Sequence, residues 1–231
     1  MTVVILAAAG ATQAEVLFFD DFDSGMNPLW QTPNGGWVLE NGHMAVTSSC
    51  GFQQCNPNLY AGGEGYAAYL VSFDFSVTTA YTPHGSGVGC YVALSNPIEP
   101  FEGATAGYSL GCGWSADGSP ANANCQIQVF NGSSVMTEIA YDTGTEYWIT
   151  PGAVYHMVLG RIGSSLVLKK WAEGEPEPSW LVSVDDSSHM AGYWMPIFWH
   201  NIGWIDNFKV EGLSAVPVEA GTWGEVKALF R

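Results

Sequence analysis

Basic side chains are scarce: Lys and Arg together number 6 in 231 residues, against 22 Asp and Glu, for a formal net charge of −16. Such a chain repels a phosphate backbone, so nucleic acid is excluded as a partner. The same acidity suits a soluble secreted protein, a binder of cations or a module for neutral polymers, and does not choose among them. Long apolar runs are missing too. The apolar opening segment, residues 1–14 (MTVVILAAAGATQA), is shorter than the roughly 20 residues needed to cross a bilayer, and no transmembrane segment is expected. Motifs for metal and nucleophile chemistry are lacking as well. There is no Cys-x-x-Cys, no ligand spacing among His43, His84, His156, His189 and His200, and no Gly-x-Ser-x-Gly elbow.

What is present points to strands and turns. Gly accounts for 28 residues, aromatics reach 13% and charged residues only 12%, a balance that fills pleated surfaces and punctuates them. Strands are predicted over 16–22, 67–77, 87–95, 106–114, 125–131, 137–141 and 204–210. A hairpin spans 35–46 with its turn at Asn41-Gly42, where both central residues favour positive φ. From Val154 to Asp186, alternation gives a second hairpin around Gly163-Ser164-Ser165. A corner containing Gly174, Pro176 and Pro178 follows, and then a strand from Leu181 to Val184. Closely spaced strands with no convincing amphipathic helix between them predict an all-β, two-sheet antiparallel sandwich.

Three segments follow from composition. Residues 1–14 read as a signal peptide cleaved after Ala14, although the basic n-region is missing and a first strand is the competing reading. Residues 15–213 form the sandwich, and 214–231 a linker and C-terminal tail, either a sorting or anchoring tag or a docked terminus. The five cysteines suggest local disulfides Cys50–Cys55 and Cys112–Cys125 with Cys90 free; Cys90–Cys112 is the alternative. With the leader, these thiols favour an oxidising compartment and a secreted or cell-surface protein.

The segments Phe18-Phe19-Asp20-Asp21-Phe22, Trp37-Val38-Leu39-Glu40-Asn41-Gly42-His43-Met44, Leu166 to Trp180 and Ile205-Asp206-Asn207-Phe208-Lys209-Val210 stand in a telling order. That order resembles the signposts of concanavalin A-like lectin/glucanase jelly rolls, laminin G-like bacterial modules above all. The resemblance implies a structural calcium on the convex side, held by Asp206, by the Gly42 carbonyl and by Asp21. Calcium takes carboxylate and carbonyl oxygens together, which is what this set offers. The competing reading has Asp206 accepting backbone amides at a turn.

Glucanases of this likeness carry a Glu-x-Asp-x-x-Glu or similar motif on one concave-face strand, which is absent here. Strands 87–95, 106–114 and 125–131 contain no acid at all. Asp74 and Glu138 lie within strands, and neither has an acid two residues away to form the pair that glycoside hydrolysis needs. Binding is better supplied. If Tyr108, Leu110, Cys112, Cys125, Ile127 and Val129 face the core, then Ser109, Gly111, Gln126, Gln128 and Tyr91 share the outward face. Trp194 and Trp199 fall on opposite faces, so one of them, taken as Trp199 with His200 beside it, reaches a ligand. Rings and amides suit sugars, although core packing accounts for any single ring just as simply. The sequence thus predicts a secreted, non-catalytic module binding a glycan or polysaccharide, or acting in adhesion. The alternatives are a glycoside hydrolase with an atypical carboxylate pair and a self-associating surface or filament subunit.

Overall fold

The computed structural model describes residues 12–30, 36–46, 69–80, 86–96, 105–114, 119–132 and 135–215. Cys50, Cys55, residues 1–11 and the tail beyond 215 lie outside that set. Among the described residues, thirteen strands, numbered in chain order, form two antiparallel sheets. In the eight-stranded sheet the neighbours run β11 (Val182–Asp185), β10 (Ser165–Ala172), β9 (Val154–Ile162), β4 (Tyr69–Ala80), β13 (Asn201–Ala215), β3 (His43–Val46) and β2 (Trp37–Glu40). The eighth strand, β1 (Thr12–Asp20), also pairs with β13. The five-stranded sheet runs β12 (Tyr193–Trp199), β5 (Gly87–Leu94), β6 (Ala106–Trp114), β7 (Asn124–Asn131) and β8 (Met136–Thr143).

Between the sheets lies one apolar core, made where the strand period of two aims a row of side chains inward from each side. Val71, Phe73, Phe75 and Val77 of β4 face Val88, Cys90 and Val92 of β5, with Leu110, Ile127, Leu159, Leu168 and Ile205 packed among them. The expected inward set of Tyr108, Leu110, Cys112, Cys125, Ile127 and Val129 is all buried here. Cys112 and Cys125 are direct cross-strand partners joined as a disulfide, and Cys90 is free and buried. Asn41 and Gly42 both have positive φ, as the hairpin they close requires.

Two local devices finish the sandwich. At the end of β1, Asp20 is buried and gathers the loop after it: its carboxylate accepts from the amides of Phe22 (2.9 Å) and Asn27 (2.7 Å) and from Trp30 Nε1 (2.7 Å). Trp30 is thereby pinned edge-on to Phe18 and Phe208, at 4.8 and 5.0 Å between ring centres. Farther along, β13 carries a bulge against β4 between Asp206 and Lys209, and Asn207 adopts a φ of 49° there. The extra residue lets Asp206 and Lys209 stay partly exposed while Phe208 and Val210 remain buried.

Lys170 is a charge inside the apolar layer. Its ammonium donates to the carbonyls of Glu146 and Trp148, both at 3.0 Å, and lies 4.8 Å from the Tyr155 ring centre. Burial pulls its pKa down to about 8, against the opposing pull of Glu146. An unfolded lysine keeps its proton to about 10.4. Between those values the unfolded chain binds more protons, so this group's contribution makes stability rise with pH from about 8 to about 10. Buried Tyr69 and Tyr147, whose hydroxyls are pushed above the usual range by burial, reverse the trend above about 10. Urea unfolding of wild type and Lys170→Met from pH 7.5 to 9.5 checks this: the rise belongs to wild type, and an equal rise in both proteins refutes the assignment.

Candidate functional site

The outer face of the five-stranded sheet is set by register. With Cys112 and Cys125 turned inward, alternation turns Ser109, Gly111, Asn124, Gln126 and Gln128 outward. One row reads Met195, Tyr91, Ser109, Gln128 and Glu138 across the strands; the next reads Ile197, Gly89, Gly111, Gln126 and Tyr141. The paired glycines leave bare backbone at the centre. Gly89 tolerates nothing larger, because a Cβ there would sit 2.1 Å from the Leu110 carbonyl oxygen and 2.7 Å from Gly111 Cα.

This face has two unlike halves. Over β12 and β5, and reaching Phe130 at the far end of β7, it is apolar and closed: Tyr91 (0% exposed), Leu94, Phe130, Met195, Ile197 and Trp199 (7%) form a cluster distinct from the core. Over the stretch of β7 and β8 around Asn124 to Gln128 it is polar and open. Gln126 and Gln128 are half-buried, Glu138 is exposed, and Tyr141 is 48% exposed. Asn124 Nδ2 lies 3.5 Å from the Tyr141 hydroxyl, while the buried Asn124 Oδ1 has no hydrogen-bond partner. An orphaned carbonyl oxygen beside a half-exposed phenol is what a hydroxylic ligand or a water would satisfy. Amides offer donor and acceptor together, and the ring adds an apolar surface.

Of the residues singled out in the sequence, Tyr91, Gln126, Gln128 and Trp199 do share one face. Only the two glutamines lie on its open half. Tyr91 and Trp199 were expected to present rings to a ligand; instead they are packed inside the apolar half, Tyr91 meeting Phe130 edge-on at 5.7 Å. Trp194 points the other way, into the core, 5.9 Å from Phe18. His200 sits buried at the junction of β12 and β13 with a φ of 51° and its ring 5.9 Å from Trp199. Among the described residues Tyr141 is the ring this face exposes, and Asn124 stands beside it. Asn124 shares the parity of Gln126 on β7, and Tyr141 pairs with Gln126 across to β8; the bulge between Ile127 and Gln128 hides the second relation from a count that starts at Gln128.

On the other sheet, Asp206 lies opposite Asp74 across β13 and β4. Its carboxylate accepts from the Asn207 amide at 2.8 Å and stands 3.9 Å from His43 Nε2. Burial holds the Asp206 carboxyl above the usual carboxylate range, with the charges of Asp74 and Asp23 adding to that effect, against Asn207 and His43. Asp23 rather than Asp21 meets the hairpin turn: a Cβ on Gly42 would lie 3.4 Å from Asp23 Oδ1. The Asp21 carboxylate accepts from the Asp23 amide at 3.3 Å. Two acids and a turn carbonyl are oxygen donors of the kind calcium takes, so the residues fit that ion. Among the described residues no cluster of three or more His, Cys, Asp or Glu side chains is placed to hold a metal by itself.

No protein-family model matches the sequence, and no curated protein matches it significantly. Solved structures do match in shape. A carbohydrate-binding module, CBM66, from Bacillus subtilis superposes with a TM-score of 0.57 at 13% identity over 80% of this chain and 96% of that one. The CBM2 module of the evolved Dit of Lactobacillus casei BL23 phage J-1 gives 0.62 at 13% identity over 89% and 98%. The exoplasmic/lumenal domain of VIP36, in a Ca2+/Man3GlcNAc-bound form, gives 0.59 at 14% identity over 86% and 88%. A xylan β-1,4-xylosidase from Bacillus halodurans C-125 gives 0.58 at 12% identity, this chain covering 38% of its length. At such identities the likeness concerns architecture alone. In architecture, this chain is a two-sheet antiparallel jelly-roll β-sandwich, the fold it shares with those structures.

Proposed function

We propose that the chain is a secreted, non-catalytic glycan-binding module whose ligand lies across β7 and β8 of the five-stranded sheet. The observation that carries this is the open polar half-face: Asn124, Gln126 and Gln128 in one outward line beside the half-exposed ring of Tyr141. Sugars present hydroxyls to such amides and carbon-bound hydrogens to such a ring. The match in fold to carbohydrate-binding modules and to a mannose-glycan-bound lectin domain supports the same reading. Hydrolysis asks for two carboxylates about 5 to 9.5 Å apart. In its cross-strand row Glu138 stands opposite Gln128, and the row continues to Ser109, Tyr91 and Met195 with no second acid, which favours binding over cleavage.

A gel-affinity screen against xylan, mannan, β-glucan and levan tests the reading. Tyr141→Ala, and separately the pair Gln126→Ala and Gln128→Ala, should each weaken retention about tenfold, the equivalent of about 1.4 kcal/mol, with melting temperatures little changed. Reducing-sugar release by the wild-type protein would overturn the non-catalytic part, and unaltered retention in both variants the site. We further propose that calcium binds through Asp206, Asp23 and the Gly42 carbonyl and ties the early hairpin to β13. The expected result is a higher melting temperature in millimolar calcium than in chelator, lost in Asp206→Asn.

A further inference from the structure

Beside Asp206, the outer face of the eight-stranded sheet carries a polar centre around Asp74 that the reading above leaves unused. Strand register lines up Asp206, Asp74, His156 and Trp171 in one row across β13, β4, β9 and β10. Asp74 is the hub. Its Oδ1 accepts from His156 Nδ1 at 2.5 Å and its Oδ2 from Asn207 Nδ2 at 2.8 Å. With Nδ1–H given to the carboxylate, the imidazole is oriented with Nε2 as its remaining acceptor; the separate bond from Asn207 Nδ2 to Asp74 Oδ2 fixes the amide of Asn207 and leaves its carbonyl oxygen over. The Trp171 ring centre lies 5.2 Å from that of His156, inclined by 38°. These groups border a groove of about 280 Å³ that Phe19, 47% exposed, and Lys209 also line.

The groove's chemistry narrows its occupant. Its size is that of a single ring, at the low end for small-molecule sites. A metal finds no three ligating side chains among the described residues. An acid–base pair for hydrolysis is unsupported, because both oxygens of Asp74 are already engaged. An anion would meet the Asp74 carboxylate, and the lining's basic group, Lys209, is already engaged by Glu211 at 3.1 Å. What remains on offer is an oriented acceptor on an imidazole, an oriented amide oxygen, and aromatic surface at either end. Asn207 occupies a left-handed backbone position in a bulge, a conformation kept where the surrounding structure enforces it and frequent beside functional sites.

We propose that this groove, between Trp171, His156, Asp74 and Asn207, is a second sugar site that takes one neutral pyranose unit through its hydroxyls and one apolar ring face. The domain then presents sugar sites on both sheets, and the second stands independently of the first.

The test uses the full chain and four soluble polysaccharides built of pyranose units, xylan, mannan, β-glucan and galactan, in affinity gels and in a turbidity assay. Trp171→Ala removes the ring. Asn207→Gly removes the amide while suiting the positive φ, so a folding failure in one variant leaves the other to decide. Each should weaken retention about tenfold, and Trp171→Phe should recover part of the loss. Wild type should cross-link and cloud a polysaccharide that it binds, and variants of either face should bind without clouding. Loss confined to the Gln126, Gln128 and Tyr141 variants overturns the second site and keeps the first. Loss confined to Trp171→Ala and Asn207→Gly keeps the second and removes the first. Retention by none of the four polymers overturns both.

Discussion

Arg161→Ala is expected to lose about 3–5 kcal/mol of stability. The arginine is 1% exposed, and its guanidinium is satisfied by backbone carbonyls: Nε donates to Gly163 (2.8 Å), Nη1 to His189 (2.7 Å) and Nη2 to Asp186 (2.6 Å). Around this fork the segment 186–189 closes on the sheet, for Tyr108 donates to Asp186 at 2.5 Å and accepts from the His189 amide at 3.0 Å. Truncation leaves three carbonyls without their donor in a place water reaches poorly. Hydrogen bonds to a charged group are worth about 1.5–3 kcal/mol each, and the loss of all three is only partly relieved by relaxation. Arg161→Lys supplies a point charge where a planar fork is needed, so it should recover less than half. Urea titration reads both, as a lower midpoint at unchanged slope. A loss below 1 kcal/mol in the alanine variant, or full stability in the lysine variant, would contradict this account.

The second large effect is expected at Phe208→Ala, about 3–5 kcal/mol. Phe208 is fully buried, with ring centres of Trp30, Phe73 and Phe18 at 5.0, 5.7 and 6.1 Å. Those partners come from the loop after β1, from β4 and from β1 itself, so one cavity loosens three elements at once. Shape matters as well as volume: Phe73 stacks on the ring at 16° while Trp30 meets it at 66°. Near-ultraviolet circular dichroism should lose part of its tryptophan signal in the variant, since Trp30 is held by the Asp20 carboxylate at one end and this ring at the other. Phe208→Leu, which fills most of the space, should cost under half as much. Equal destabilisation by the two substitutions would mean that the ring's geometry contributes nothing.

How far the residues alone disclosed this molecule depends on the range of the interaction. Along β6, large apolar side chains alternate with glycine and serine, and that local alternation located the strand from Ala106 to Trp114 although residues 107–113 are buried on both faces. The Asn41-Gly42 turn was equally legible, because its φ requirement is local. β12 was not counted among the strands. Its sequence, Tyr193-Trp194-Met195-Pro196-Ile197-Phe198-Trp199, is apolar on both faces, and Pro196 argues against a strand until one knows that β12 is an edge. The same limit governs the site. Parity put Tyr91, Gln126 and Gln128 on one face, but no parity says that Tyr91 and Trp199 are buried within an apolar cluster. Asp74 looked alone because its partners were sought two residues along the strand. They lie across strands, at His156 and Asn207, 82 and 133 residues away in sequence.

The pairing of β1 with β13 has an engineering consequence. Thr12 and Ala215 are cross-strand partners, so the described chain enters and leaves the fold about 5 Å apart. Seen from outside, the stretch from Thr12 to Ala215 occupies the footprint of one hairpin. A host protein can therefore receive the whole domain in a surface loop without moving that loop's ends. Force applied through those ends would open the β1–β13 ladder one rung at a time, beginning at the junction and meeting its first irregularity between Val16 and Phe18. The sandwich behind that ladder would feel the load last.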